Sequence, residues 1–261
     1  MATLRGEPVD RPAISFYELN GLDEDPGDAD PYNIYNDPSW APLLALTREH
    51  TDRIVMRGLR LTSGPRGLGT LGAERSVTER GNSRYERQVL RTPSRLLTGE
   101  TRRARDVTTV WVTEHLLKGV DDLRAVLALP APEPETQIDV APILDAEAAL
   151  GDSGIVMIDT PDPLCLGAEL FDMATFTVIA LTEPVLFSAL LDRFYAALLP
   201  HVEAMAAALP GRLWRIVGPE FATPPFLPPR LFRAYVNRYD AALIAAIQRD
   251  GGYARLHCHG R

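Results

Sequence analysis

The chain has 261 residues, 46% hydrophobic and 24% charged, which suits a globular protein long enough to bury a sizeable core. With 27 Lys and Arg against 35 Asp and Glu, the formal charge of -8 excludes the footprint of a general nucleic-acid binder. Two distant cysteines (Cys165, Cys258), no apolar run of membrane-spanning length and no secretory pattern at the N-terminus point to a cytoplasmic protein with no membrane partner.

Ala13–Tyr17 is a β-prone run and is read as the first strand. A long polar loop, Glu18 to Asp37, follows and is expected to act as a lid or to carry function. Asp37-Pro38-Ser39-Trp40 has a cap and a first-position proline, predicting a helix to about His50. Arg53–Arg57 opens a β-rich region in which Gly81-Asn82-Ser83 marks a hairpin. Glu74, Glu79, Glu86 and Glu100 interleave with the arginines from Arg75 to Arg105, predicting a solvated hairpin face. Residues 60–115 are therefore expected to be an antiparallel β insertion. A strand over Asp106–Glu114 and a helix around Asp121–Ala128 precede a proline-rich linker at Ala131 to Glu135.

Beyond it the pattern alternates. Helix Ile143–Leu150, strand Gly154–Asp159, helical Pro163–Phe171 and Thr182–Leu209, and strand Leu213–Val217 come first. A helix from Arg230 to Arg249 and a terminal strand leading to His257 and His259 complete the series. Such alternation implies parallel pairing. Polar residues gather just after the strands: Tyr17, Glu18 and Asn20, then Asp159, Glu220, and His257 with His259. That placement favours a (β/α)8 barrel, and no glycine-rich phosphate loop follows any strand. About five of the eight strands are countable, so the barrel is expected to be incomplete at its C-terminal side.

Strand alternation sends His257 and His259 to one face and Cys258 to the other. They read either as two ligands of one zinc ion or as a pair of surface histidines. Glu220 reads as a catalytic group that binds the metal or orients a substrate amine, or as a solvent-facing head of the proline-rich loop. Asp159 reads as a substrate-pocket residue behind a metal-bound imidazole, or as a cap for Thr160-Pro161. Tyr17, Glu18 and Asn20 either line the pocket or have a structural loop role.

Arg5-Gly6-Glu7-Pro8-Val9-Asp10-Arg11-Pro12, Gly218-Pro219-Glu220 and the terminal His257-Cys258-His259-Gly260 together resemble the uroporphyrinogen decarboxylase superfamily. Within it they are similar to the branch of methylcobalamin:coenzyme M methyltransferases. The resemblance implies one barrel domain over residues 1–261, longer in other members. It also implies a zinc site in which His257 matches the first ligand and His259 stands where a cysteine is usual, with a further ligand beyond Arg261. The implied activity is zinc-dependent transfer of a methyl group between a corrinoid, free or on a partner protein, and a small thiol. The alternatives are a decarboxylase (a lyase) acting on uroporphyrinogen or another carboxylated substrate, and an inactive barrel. Decarboxylase members carry an arginine-rich motif after the first strand. This chain has Phe16-Tyr17-Glu18-Leu19-Asn20 there, which disfavours a polycarboxylated tetrapyrrole.

Overall fold

In the computed structural model, which describes residues 1–16, 19, 29–59, 71–131 and 137–260, the chain builds two separate sheets. After a helical turn α1 (Ala2–Arg5), Asp37 accepts from Ser39 N at 2.9 Å and caps a 3-10 turn that runs into α2 (Ala41–His50). Strand β1 (Arg53–Gly58) follows. An antiparallel sheet then forms from β2 (Glu74–Arg80), β3 (Ser83–Arg91), β4 (Leu96–Ala104) and β5 (Val110–Glu114), in that order. Gly81, at φ 59°, supplies the left-handed backbone that the two-residue loop between Arg80 and Ser83 needs at its first position.

Helices α3 (Val120–Leu127) and α4 (Ala141–Leu150) lead to β6 (Gly154–Pro161). Next come α5 (Pro163–Ala168), α6 (Met173–Thr182), α7 (Pro184–Ala208) and β7 (Leu213–Val217). Helix α8 (Pro229–Phe232) continues through a π-helical turn, Arg233–Asn237, into α9 (Arg238–Arg249), and β8 (Tyr253–His257) ends the series. Strands β1, β6, β7 and β8 pair in parallel in that order, each pair joined by a connection containing helices. The fold is mixed α/β.

Strand β6 is apolar on both faces, as a covered parallel strand requires: Val156, Met157 and Ile158 are all buried. One face of the sheet, carrying Val55, Val156, Ile158, Trp214 and Ile216, packs against α4, α7 and α9 through Ile143, Leu198, Val202 and Leu243. A second cluster joins Leu90 and Leu97 of the antiparallel sheet to Leu123, Phe176, Phe187, Leu190 and Tyr235. Helix α7 serves both clusters. No apolar run of membrane-spanning length was expected, yet its 25 residues reach a mean hydropathy of 1.3 over their most apolar window, enough by length and composition to cross a bilayer. Ten of those residues are buried, and the helix contributes to both cores.

Several sequence expectations need correction. Residues 13–16 form no strand. Ile14 N instead donates to Asp52 Oδ2 at 3.0 Å, Asp52 N donates to Ile14 O at 2.7 Å, and Arg11 grips the same carboxylate at 2.6 and 3.0 Å. The local clamp satisfies backbone groups that a ladder would otherwise take, so β propensity is overridden. The parallel sheet thus has four strands among the described residues, not five, and a closed barrel is not seen. Strand β4 escaped notice because Arg102 and Arg103 obscure its alternation. The helix expected over Pro163–Phe171 stops at Ala168, and α6 restarts on Asp172, whose carboxylate accepts from Ala174 N and Thr175 N. The linker expected at Ala131 to Glu135 falls almost wholly outside the described residues.

Candidate functional site

The carboxyl end of β8 lies beside that of β7, with His257 in register with Val217. His259, two residues on, turns its ring to the same side. The two Nε2 atoms stand 2.9 Å apart, with ring centroids at 4.5 Å and planes at 80°. At that distance one ring donates to the other. Two imidazoles on one tetrahedral zinc, with Zn–N near 2.05 Å, hold their nitrogens roughly 3.3 Å apart. To ligate one ion the nitrogens would have to part by a few tenths of an ångström, the proton between them would have to leave, and both lone pairs would have to turn to a common point. Both rings are reachable, His257 half-buried and His259 exposed. Arg255 Nη2 sits 3.5 Å from His257 Nδ1, a contact that must open when that nitrogen carries the proton a Nε2-bound metal demands.

The remaining predicted site residues are less gathered. Register aligns Asp159, Arg215 and Arg255 across three neighbouring strands. Asp159 is taken by Arg215, whose Nε and Nη2 donate to its two oxygens at 2.6 and 2.8 Å. Its partner is thus a guanidinium, not an imidazole. Glu220 sits in the 3-10 turn Pro219–Ala222 after β7, where its Oε2 accepts from Gly218 N at 3.2 Å. The Thr223 hydroxyl lies 2.8 Å from Glu220 O and 3.2 Å from His259 O, tying this turn to the histidine segment. Among the described residues no three His, Cys, Asp or Glu side chains are grouped to hold a metal, so the two imidazoles stand there without a third ligand. Tyr17, Glu18 and Asn20 lie outside the described residues.

Sequence reasoning missed the acids beneath this end of the sheet. Asp162 follows β6 and caps α5, its Oδ1 accepting from Cys165 N at 2.6 Å, and it is fully buried. Asp240 in α9 is 3% exposed. Among the described residues Asp162 Oδ2 and both Asp240 oxygens have no hydrogen-bond partner. Burial, reinforced by Asp240, holds the Asp162 carboxyl well above the usual range, and burial pushes Asp240 up to about 7. Two buried, mutually repelling carboxyls keep a proton at neutral pH. Burial, with Glu220, Asp162 and Asp240 behind it, also raises the Cys258 thiol. The legible signals were Asp162-Pro163, a cap with first-position proline, and an acid at Asp240 on the apolar face of α9 between Tyr239 and Leu243.

Gly218 makes the close approach between β7 and this acid possible. A Cβ there would collide with Asp162 Oδ1 and lie 2.6 Å from Cys165 Cβ, and its φ is 130°. Gly218→Ala is expected to cost about 2–3 kcal/mol in chemical denaturation. A loss under about 0.5 kcal/mol, the range of an ordinary surface change, would contradict that packing.

No family model matches the sequence, and no curated protein matches it. Among solved structures the chain is similar in fold to a methyltransferase from Methanosarcina mazei. The two are 17% identical with a TM-score of 0.56, and the match covers 99% of this chain and 68% of that one.

Proposed function

We propose that the protein is a zinc-dependent methyltransferase of the uroporphyrinogen decarboxylase type, its parallel sheet being an arc of a (β/α)8 barrel. The likeness in fold to a methyltransferase supports the general class. The observation that carries the chemistry is the convergence of His257 and His259 Nε2 to 2.9 Å at the carboxyl end of a parallel strand. Two neutral imidazoles there suit zinc, which takes nitrogen and sulfur ligands alike. Bound zinc lowers the pKa of a coordinated thiol, so that the thiolate is present at neutral pH.

The chain's own residues do the rest. His257 and His259 would hold the metal, with further ligands from outside the described residues. Glu220, fixed by Gly218 N and next to the histidine segment, orients a positively charged substrate group. Tyr17, Glu18 and Asn20 are assigned to substrate binding, while the Asp159–Arg215 pair stiffens the sheet face beside His257. In the reaction the sulfur lone pair forms the S–CH3 bond, and the methyl–cobalt bond electrons stay on the corrinoid. The corrinoid is free or carried by a partner protein in the cytoplasm.

Incubating the zinc-loaded protein with methylcobalamin and a small alkanethiol tests this reading. Methyl thioether should form as methylcobalamin absorbance is lost, and chelation or His257→Ala should abolish both. Turnover indifferent to metal and to His257, or no thioether at all, would reject it.

A further inference from the structure

A cavity of about 700 Å³ lies between the antiparallel sheet and the segment from α5 to α6. That volume suits a small organic ligand. Phe171 and Phe176 line it with Phe221, whose ring stands edge-on to Phe176 at 6.0 Å and 78°. Its polar groups include Arg75, Glu100, Glu114, His115 and Glu169.

Most of these charges are already matched. Arg75 pairs with Glu86 at 2.8 Å, Glu100 with Arg80 at 3.2 Å, and Glu114 with Lys118 at 2.8 Å. Glu169 differs: among the described residues it has no ion pair, and its Oε1 meets only the Cys165 thiol at 3.5 Å. Its side chain is open to water, yet burial pushes its carboxyl above the usual range, with Glu220 adding to the effect. Glu169 thus lines a half-open cavity, with water on one side and protein on the other. With Arg75, Glu100 and Glu114 each engaged by a partner of opposite charge, an anionic ligand would meet Glu169 as the carboxylate without an ion pair among the described residues. A cation would relieve the acid and rest against the half-buried Phe221.

We infer that this cavity binds a small organic ammonium ion with an apolar body, Glu169 serving as counter-ion and the half-buried Phe221, backed by the buried Phe171 and Phe176, as its aromatic seat. The inference is independent of methyl transfer, because the cavity is defined without the histidine pair.

Isothermal titration of the whole chain with benzylamine, benzyl alcohol and benzoate tests it directly. Benzylamine should bind at least tenfold more tightly than benzyl alcohol, and benzoate should not bind. Glu169→Gln should erase the preference for the amine while leaving benzyl alcohol unchanged. Phe221→Ala should weaken both neutral and cationic probes and keep their order. The inference is overturned if benzylamine fails to bind at millimolar concentration, if benzoate binds as well, or if Glu169→Gln keeps the tenfold preference in a protein with wild-type circular dichroism.

Discussion

Asp240→Asn is expected to make the protein more stable than wild type at neutral and alkaline pH, and the gain should grow as pH rises. Asp240 ordinarily titrates at 3.8 and is raised by burial to about 7 in the fold. The folded state therefore binds a proton that the unfolded state has released between these values. Stability is fully present below pH about 4, is lost progressively up to pH about 7, and is flat above it. Asp162, raised as well, extends the loss in the same direction.

Each tenfold change in proton affinity is worth about 1.4 kcal/mol, so the asparagine variant should gain roughly 2–4 kcal/mol between pH 5 and pH 8. Asparagine copies the shape of the neutral acid and carries no charge to desolvate. Carboxylates whose values are lowered, such as Asp52 by Arg11 and Asp30 by Arg84, act only as pH falls below the ordinary carboxylate range. They are common to both proteins and cancel in the comparison. Urea denaturation of both at pH 5, 6, 7 and 8 measures the difference. A gap that does not change with pH would mean the two acids hold no shared proton.

The second large effect concerns the imidazoles. His257→Ala and His259→Ala should each weaken zinc binding by at least about 100-fold, beyond the 10–100-fold typical of partners one layer further out. Competition against a chromophoric chelator reads that loss. Because His259 is exposed and His257 half-buried, neither substitution should move the unfolding free energy of the metal-free protein by more than about 0.5 kcal/mol. Equal zinc affinity in wild type and both variants would leave the pair as a surface hydrogen bond.

What could be read from the chain was the alternation after residue 140 and the placing of the two histidines. Gly154–Asp159, Leu213–Val217 and the terminal run are strands because short apolar runs recur there, bounded by glycines, which is local information. The shared side of His257 and His259 follows from pleat geometry alone. Ala13–Tyr17 misled because its propensity is real, yet Asp52, dozens of residues away, captures its backbone. The Asp162–Asp240 pair was invisible for a similar reason. Each acid is ordinary in its own helix, and only the packing of α9 on α5's end of the sheet makes them neighbours. Asp159 read as a site residue because it follows a strand, but the register of β6 on β7 delivers it to Arg215.

In the proposed function His257 and His259 would bind one metal ion through Nε2. Zinc-edge X-ray absorption on the metal-loaded protein measures this directly. Multiple scattering from two imidazoles is expected, with Zn–N distances of about 2.0–2.1 Å, falling to one imidazole in His259→Ala. Retained zinc with no imidazole in its shell, or a protein that retains none, would contradict it.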